Sequence, residues 1–549
     1  MEATRSYEAL TRRGATLGIA LGISTYTTSA MAADVWVDAR AGAGGDGSMG
    51  SPFQTINEGL DVAMPGDTVH VLPGAYPAVR TARDGEPDQW ITVVAEMPRE
   101  AVVESDGTAL EVGHDHHRFE GLVFDSGYGS GDGVEGGSTG LELVDVEVRR
   151  TRGDCVDLRN SSEVSIEACE IHHCVAQFDP GNNADAHGVT ADTLFGLTIR
   201  DSEIYLVTGD ALQVSPSRDP WDDVLVERTR MWSGALDEAA NGWSAGDIIG
   251  ENAFDSKVGG DLNGSGTNPQ VTFTDVVAYG WRGSISNQGA FNVKEDVDFL
   301  LDRATVYDSE IAFRLRFPAV VTIHNAVVYD VDLGFRLEDG LEGLSVRNTT
   351  LGAQIGSLID DAGGAPQSPI FANVLLLADS VPAPADATPS NMAVDGSVFV
   401  DSASHDYHLQ MGSSPMDAGE ALAEVTVDRD GVPRPFGPAH DIGAYEWTDE
   451  PPPGGSTGSG GLDGSGGEAG SGGGSEGATG SPGEGTGAGT GATAGETSAG
   501  AGDNGGGGCG CRAGAPPAWS VLLGLALVGR VRRRTTLQKE LGIDQHGER

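Results

Sequence analysis

One short segment combines two residue types that could perform chemistry. Residues 250–260, GENAFDSKVGG, place Asp255 and Lys257 two positions apart. Side chains alternate between the two faces of a β-strand, so this spacing sends the carboxylate and the ammonium out of one face. A lysine whose pKa is lowered by burial and neighbouring cations can act as a general base, and a carboxylate can bind a hard cation. The competing interpretation is a surface ion pair, which contributes little.

The same pattern recurs along the chain. The aligned segments are CVDLR from Cys155, GVTAD from Gly188, ALQVS from Ala211, AFDSK from Ala253, AFNVK from Ala290, AFRLR from Ala312 and GFRLE from Gly334. Their second and fourth residues are mostly apolar, which predicts that these point inward. We expect the first, third and fifth residues to face outward, with the small first residues forming a flat floor for a linear polymer.

Charge is ordered along these outward positions. Carboxylates gather toward the N-terminal segments, at Asp154, Asp157, Asp185, Asp192, Asp210, Glu251 and Asp255. Cations gather toward the C-terminal segments, at Lys257, Lys294, Arg314, Arg316 and Arg336. Cleavage of a uronate polysaccharide by β-elimination needs a base beside a positive charge that stabilises the enolate-like anion. The pattern therefore favours an enzyme that acts on an acidic polysaccharide.

A second repeat predicts the fold that positions these residues. It consists of short segments rich in β-branched residues, which begin at Leu141, Val164, Leu197, Val224, Val271, Leu300, Val321 and Leu344. The regular spacing is about 22 residues, which is typical of one coil of a parallel β-helix. The leucine-rich repeat consensus is absent, and period-two alternation excludes helical solenoids. The prediction is an all-β, single-stranded, right-handed parallel β-helix with an N-terminal capping helix that ends near Ala63.

Four coils carry insertions next to the outward segments. The extra residues are 177–187, 216–223, 234–251 and 258–270. Loops that flank one strip of a regular scaffold are the expected walls of a binding cleft. They bring Trp221, Trp232, Trp243 and Trp281 near the strip, where an indole could stack on a sugar ring.

Both ends of the repeat region resemble known secreted proteins. The opening, Asp46-GSMGSPFQTI and Pro65-GDTVHVLPGAY, resembles the start of right-handed β-helix proteins of the pectate-lyase-like superfamily. The segments Asp406-YHLQ and Asp441-IGAYEW resemble the closing module of bacterial surface-anchored β-helix proteins. The resemblance implies a polysaccharide lyase with a lysine or arginine base and commonly Ca²⁺.

The superfamily's roles transfer to particular positions of this chain. The resemblance implies Lys257 as the base, with Lys294 and Arg314 as further catalytic residues. It implies substrate binding by Arg316, Arg336, Asn292, Gln213 and Trp243. The Ca²⁺ ligands would be chosen among Asp185, Asp210, Glu251 and Asp255.

Two other functions remain open. A glycoside hydrolase on the same fold would need a close carboxylate pair, for which Asp255 with Asp210 or Glu251 is the candidate. The Gly-His-Gly and Arg-x-Lys motifs of polygalacturonases are absent. A non-catalytic surface protein could instead use the same face to bind glycan or mediate adhesion.

The remaining sequence indicates export. Residues 1–32 have the basic region, apolar core and Ala30-Met-Ala32 site of a signal peptide, and 33–448 form the β-helix domain. A disordered Gly/Ser-rich linker (449–508) leads to residues 509–534, where Gly-Cys-Gly-Cys-Arg, an apolar run and arginines resemble a myxobacterial-type sorting tag. A polar tail, 535–549, follows. We expect an exported or surface-anchored monomer that meets the membrane only through this C-terminal region.

Charge and cysteines complete the prediction. The 549 residues carry a formal charge of −49, which disfavours nucleic acid as a partner because a polyanion is repelled. The expected partner is an acidic polysaccharide or another glycan. Cys155, Cys169 and Cys174 are three cysteines in the folded region, which predicts one disulfide and one free thiol.

Overall fold

A computed structural model describes residues 32–449, apart from 180–184, 216, 218 and 259–266. The predicted signal peptide, linker, sorting tag and polar tail lie outside the described residues, except for single residues at their boundaries. Within the described part, no helix is long and apolar enough to cross a membrane.

The described chain is a parallel β-solenoid, so the predicted fold class is confirmed. Each regular coil contributes one strand to each of three faces, which we call the site face, the second face and the third face. Two long strands, Val156–Glu167 and Val189–Arg200, run through the corner from the site face into the second face.

The faces are defined by their strands. Besides the first halves of the two long strands, the site face contains Val79–Arg80, Leu110–Val112, Val134–Gly136, Leu212–Val214, Phe254–Ser256, Gly289–Val293, Ser309–Arg316, Val331–Glu338 and Ile355–Asp361. Besides their second halves, the second face contains Asp34–Val37, Thr68–Val71, Ile91–Ala95, His117–Glu120, Thr139–Val144, Asp222–Glu227, Gln270–Thr274, Asp298–Asp302, Val320–His324, Gly343–Arg347 and Ile370–Ala372. The third face contains Gly74–Pro77, Ala101–Glu104, Leu122–Gly129, Glu147–Thr151, Glu170–Cys174, Glu203–Val207, Arg230–Trp232, Val277–Tyr279, Thr305–Tyr307, Val327–Val328, Thr350–Leu351, Leu375–Leu377 and Met392–Val394.

The predicted stacking of the site-face segments is confirmed. Phe254, Phe291, Phe313 and Phe335 pair in register through successive strands and are fully buried. The ring centroids of Phe291 and Phe313 lie 5.8 Å apart, and those of Phe313 and Phe335 lie 5.1 Å apart. This inward phenylalanine ladder fixes the alternation, so the third residue of each segment faces outward.

The small first residues do not form the predicted outer floor. Cys155, Ala211, Ala253 and Ala290 are fully buried in the core. They sit at the corner between the third and site faces, where a larger side chain would meet the neighbouring strand. A Cβ atom added to Gly188 would lie 2.3 Å from Cγ2 of Ile204. Strand alternation fails at this position because the backbone is turning, and the turn leaves room only for a small residue.

One repeat boundary was wrong by a single residue. Val271 pairs with Phe299, and Phe299 pairs with Val321, so the segment begins at Phe299 and not at Leu300. Phe299 and Leu301 are buried, whereas Leu300 is half-buried on the other side of the strand. The three consecutive apolar residues Phe-Leu-Leu made the register ambiguous, because a start at Phe299 and a start at Leu300 both place apolar residues toward the core.

Both ends of the solenoid are covered. The helix Ile56–Val62 buries Ile56 and Leu60, and a capping box between Thr55 and Glu58 begins it. Along the chain the helix connects the strands Asp34–Val37 and Thr68–Val71, which pair with each other. A strand therefore precedes the helix that was expected to open the fold. At the other end, the antiparallel strands Phe399–Asp401 and Asp406–Leu409 and the loops after them form a closing module.

The predicted disulfide count is confirmed. Cys155 and Cys174 are joined, and Cys169 is a buried free thiol. The disulfide links the start of a site-face strand to the end of the third-face strand Glu170–Cys174 in the next coil.

Candidate active site

A column of polar residues lies at the corner that leads into the site face. Asp154, His187, Asp210 and Asn252 each stand immediately before the small residue of their segment. Their carbonyl oxygens accept hydrogen bonds from the backbone of the preceding coil, which stacks them in register: Cys155 N bonds to His187 O, Gly188 N to Asp210 O, and Ala211 N to Asn252 O. The corner therefore adds a further functional column beside the outward positions of the strands.

Asp255 is the centre of the charged cluster on the site face. Its carboxylate is buried and receives Nζ of Lys294 at 2.8 Å on one oxygen and 2.9 Å on the other. Asn292 Nδ2 donates to the same carboxylate at 3.0 Å. Nζ of Lys257 lies 3.9 Å away and makes no hydrogen bond to the described residues. Burial and the charge of Asp210 raise the pKa of Asp255 to about 6, although Lys294 opposes the shift.

A second part of the cluster surrounds His187. Its Nδ1 lies 2.9 Å from Asp154 Oδ1, and its Nε2 lies 3.7 Å from Asp210 Oδ2. Burial disfavours the charged ring, but the hydrogen bond and charge of Asp154, together with Asp210 and Asp185, raise the pKa of His187 to about 9. Gln213 and Asn252 donate to the two oxygens of Asp210 at 2.6 Å and 2.7 Å. At neutral pH this group is an imidazolium held between two carboxylates.

Glu251 and Asp185 face this arrangement without partners. Neither carboxylate makes a hydrogen bond or ion pair to the described residues. Burial, and then the charges of Asp210 and Asp185, raise the pKa of Glu251 to about 8. Glu251 ends the inserted residues 234–251, of which we call 234–249 the inserted loop, and Asp185 adjoins residues outside the described set. The carboxylates are crowded enough that Glu251 retains its proton at neutral pH.

The predicted arginines form a separate group further along the site face. Asn292 pairs with Arg314 and Arg314 with Arg336 in successive strands, so the group begins about 10 Å beyond Asp255 at the usual strand spacing. All three contact Glu338: Arg314 at 3.1 Å, Arg316 at 3.6 Å and Arg336 in a short ion pair. Arg336 also contacts Asp360 at 3.1 Å. This patch is cationic, but each guanidinium is already partly neutralised.

The tryptophans occupy places other than the site face. Trp221 and Trp281 are fully buried, and each indole N–H donates to a backbone carbonyl, of Lys257 and Met231 respectively. Trp232 stacks between Tyr205 and Tyr279 on the third face. Trp243 is half-buried, donates to Ala176 O and packs against the exposed Phe178. Trp243 therefore belongs to the wall formed by the inserted loops, and the other three belong to the protein's packing.

The group of possible metal ligands whose oxygens lie closest to one another, among the described residues, is in earlier coils. Among the described residues, Asp132, Glu135 and Asp157 are the one set whose ligand oxygens all lie within 4.8 Å of one another. Burial and the charges of Asp154, Asp157 and Glu135 raise the pKa of Asp132 to about 7. Within the part of the chain that the structure describes, no three of the four carboxylates predicted as calcium ligands bring their oxygens this close together.

Sequence reasoning missed the importance of His187 and the Asp132 group. His187 is not among the site residues predicted from the sequence. Extending the segment alignment by one residue toward the N-terminus would have placed it between Asp154 and Asp210. Asp132 and Glu135 lie in a coil whose segment, Gly133-Val-Glu-Gly, lacks the pattern of the later ones.

The arrangement offers acid, base and charge on one surface. Lys257 is a partly exposed amine beside a buried carboxylate, and Glu251 is a carboxylic acid at neutral pH. Five carboxylates, Asp154, Asp185, Asp210, Glu251 and Asp255, face the three cations His187, Lys257 and Lys294. Carboxylate oxygens are the ligands that a hard divalent cation prefers, but those around His187 converge less closely than those of the Asp132 group.

Comparisons with known proteins find only distant structural likenesses. No protein-family model matches the chain, and no curated protein matches it in sequence. Among solved structures, pectate lyase Pel9A superposes with a TM-score of 0.48 and 15% identity, over 76% of this chain and 97% of that one. An alginate lyase from a Paenibacillus strain gives 0.32 and 14%, over 62% and 99%. An α-1,3-glucanase from Streptomyces thermodiastaticus gives 0.38 and 15%, over 62% and 65%. Likenesses this distant carry no argument about the reaction.

Proposed function

We propose that the chain is an exported carbohydrate-active enzyme that cleaves an acidic, uronate-containing polysaccharide by β-elimination. The observation that supports this most is the Asp255 site, where Lys257 and Lys294 meet buried carboxylates on one face of the solenoid. The walls formed by inserted loops and the Arg314 patch beyond the site suit a long anionic polymer. The predicted signal peptide and sorting tag support a location outside the cell or at its surface.

The two lysines have different roles in this proposal. Nζ of Lys294 is held against both oxygens of Asp255, so this lysine serves as a fixed positive charge. Lys257 is less constrained and is the base that removes the proton next to the substrate carboxylate. The electron pair left on carbon forms the double bond, and the departing glycosidic oxygen takes up a proton. Arg314, Arg316 and Arg336 would bind a carboxylate of a neighbouring sugar, and Asn292 and Gln213 would orient the carboxylates on the site face.

The donor set also fits Ca²⁺. Asp185, Asp210, Glu251 and Asp255 would hold the ion in the predicted arrangement, and Asp132, Glu135 and Asp157 offer a second set of oxygens. A bound Ca²⁺ would supply positive charge against the substrate carboxylate, which the excess of carboxylates in the site would otherwise repel.

The test uses the purified chain with pectate, alginate and glycosaminoglycans, followed by the ultraviolet absorbance of unsaturated uronate ends. We expect activity that a chelator reduces, and a loss of at least about 100-fold in Lys257→Ala, the usual contribution of a general base. Arg228→Ala is the control, because Arg228 forms a surface ion pair with Asp201 on the second face. Activity that survives in Lys257→Ala would refute the assignment of the base.

One observation favours a glycoside hydrolase as the second candidate. Glu251 is protonated at neutral pH, which is the state that a glycosidase general acid requires. New reducing ends without ultraviolet absorbance would identify this reaction. Glycan binding with neither product would identify the non-catalytic surface protein.

A further inference from the structure

Two adjacent histidines lie side by side on the third face, away from the candidate active site. In a regular strand, His172 and His173 would point to opposite sides. His173 adopts a left-handed backbone conformation with φ of 56°, and the same irregularity recurs at Arg150 and Leu206 in the neighbouring coils. The pairing runs from Arg149 to His172 to Tyr205 and resumes from Thr151 to Cys174 to Val207, so one unpaired left-handed residue, His173 in this coil, interrupts each strand. This backbone turn brings both imidazoles to the outer surface of the third face, where each ring contacts a carboxylate.

The rings meet in an unusual way. Nδ1 of His172 lies 2.6 Å from Nδ1 of His173, and the ring planes are nearly perpendicular. On the outer side of each ring is a carboxylate: Glu147 Oε1 lies 3.3 Å from Nε2 of His172, and Asp237 Oδ1 lies 2.8 Å from Nε2 of His173. Tyr205 stacks on the His172 ring at 4.7 Å. Both histidines are more than nine-tenths buried.

These contacts fix where the protons are. A carboxylate accepts a hydrogen bond, so each Nε2 carries hydrogen and each neutral ring presents the lone pair of Nδ1. Two lone pairs that face each other repel, unless a proton or a metal cation lies between them. Metal-binding histidines are typically oriented in this manner, with the second ring nitrogen donating to a carboxylate.

We propose that His172 and His173 form a binding site for a late first-row transition-metal cation, Zn²⁺ or Cu²⁺. The two Nδ1 atoms are the protein ligands, Glu147 and Asp237 orient the rings, and water completes the coordination. Imidazole nitrogen selects these cations over Ca²⁺ and Mg²⁺, which prefer oxygen. Zinc–nitrogen bonds are about 2.0–2.1 Å long, so the rings need only open slightly to admit the ion.

A bound metal ion would also stabilise the position of the inserted loop 234–249, which forms a wall of the cleft. Asp237 belongs to the inserted loop 234–249, which contacts the third face through Asn241 and Trp243. Because Asp237 bonds to His173, an ion that fixes the His173 ring also fixes this end of the loop. The metal site is independent of the carbohydrate chemistry proposed above and stands if that proposal fails.

Calorimetric titration of the full-length chain with ZnCl₂ and CuCl₂ tests the proposal. The protein carries no polyhistidine tag, and Cys509→Ser and Cys511→Ser remove the tail thiols as competing ligands. We expect the unaltered chain to bind one equivalent of metal at this site. In His172→Ala and in His173→Ala, this binding should disappear or its affinity should fall at least 100-fold. Glu147→Gln should weaken it about 10–100-fold, the usual effect of removing a carboxylate behind a ligating histidine.

His114→Ala is the matched control, because His114 lies in a separate histidine-rich segment, GHDHH at residues 113–117, where it contacts Thr81. The electron paramagnetic resonance spectrum of the Cu²⁺ form should show two nitrogen ligands, and Glu147→Gln provides a test if either alanine variant fails to fold. Metal binding that is equal in all variants would overturn the proposal. Absence of binding in the unaltered chain would also overturn it and leave only a proton shared between the two rings.

Discussion

At the scale of single residues, the candidate site is governed by crowding among carboxylates. Asp210 is buried and fully hydrogen-bonded, and its charge contributes to raising the pKa values of both Glu251 and Asp255. His187 and Lys294 offset part of this repulsion without removing it. The site therefore holds a proton on Glu251 at neutral pH that a divalent cation would have to displace.

The proton on Glu251 predicts a pH-dependent calcium affinity. A carboxyl with a pKa near 8 is mostly protonated at pH 6.5 and mostly ionised at pH 8.5, and only the ionised form binds the cation. We expect Ca²⁺ affinity to rise roughly tenfold or more between these pH values, measured by calorimetry. Glu251→Gln should remove most of the rise, whereas Glu167→Gln on the second face should keep it. An unchanged pH dependence in Glu251→Gln would place the ion elsewhere, with the Asp132 group as the next candidate.

His117 predicts a loss of stability in acid. It points into the core with both ring nitrogens unpaired, and burial lowers its pKa to about 4. Between pH 6.5 and 4 the unfolded chain binds a proton that the folded chain does not, so the free energy of unfolding falls as pH falls. The full effect is about 3 kcal/mol. His117→Leu should flatten this part of the pH–stability curve in thermal unfolding, and a parallel fall in both proteins would contradict the assignment.

The sequence predicts which strand residues face outward and come together, but it does not predict this for residues at the corners. The alternation in AFDSK and AFNVK correctly brought Asp255, Asn292, Lys257 and Lys294 together. His187 and the small residues lie where the backbone turns, and period-two reasoning stops there. Proton positions, such as the one on Glu251, depend on distances between coils that the sequence does not contain.

At the scale of elements, the site-face strands are held by their inner side chains. Each of the four strands from Phe254–Ser256 to Val331–Glu338 buries one phenylalanine of the ladder, so the outward residue beside it has a defined direction. The disulfide between Cys155 and Cys174 secures the coil where Asp154 and Asp157 lie. The strands that carry the candidate site are therefore rigid, and its walls are loops.

Truncating the ladder should be costly. Phe313→Ala removes a fully buried ring between Phe291 and Phe335 and should lower the free energy of unfolding by about 3–5 kcal/mol. Phe195→Ala is the matched control, because that ring is 41% exposed, and we expect a change within about 0.5 kcal/mol. Thermal unfolding followed by circular dichroism compares the two. Equal losses of stability in the two variants would mean that the phenylalanine ladder does not contribute more to stability than an exposed ring.

The regular coils could be predicted from the repeat, whereas the inserted loops could not. The seven aligned segments gave the register of the site face because nearly all contain a central apolar–polar–apolar triplet, with Ser256 as the exception. The single slip, at Leu300, occurred where three consecutive apolar residues made two registers equivalent. The loop 234–249 has no periodicity, so nothing in its sequence placed Asp237 beside His173.

At the scale of the whole molecule, the open ends decide whether the solenoid stays soluble. Unpaired strand edges at either end would template association with other chains. The helix Ile56–Val62 and the closing module cover them. In the closing module, Arg434 is fully buried and binds Glu446 at 2.5 Å while donating to Gly443 O at 2.8 Å.

Removing one partner of this buried pair should weaken the cap. Arg434→Met leaves Glu446 buried without its cation and should destabilise the protein by about 3–5 kcal/mol. Arg434→Met with Glu446→Leu should recover part of the loss, since no uncompensated charge remains. Thermal unfolding measures the stability, and size-exclusion chromatography reports association through the exposed end. A double variant no better than the single one would show that hydrogen bonds to the backbone, not charge, hold the module.

The corner disulfide, the candidate site and the histidine pair all belong to a short block of consecutive coils, and those coils carry the insertions. In a solenoid each coil contacts only its neighbours, so a longer loop in one coil leaves the rest of the core unchanged. The block can therefore gain or lose loop residues over generations without a compensating change at either end. Descendants of this chain could diverge in what they bind while keeping the same framework of stacked strands.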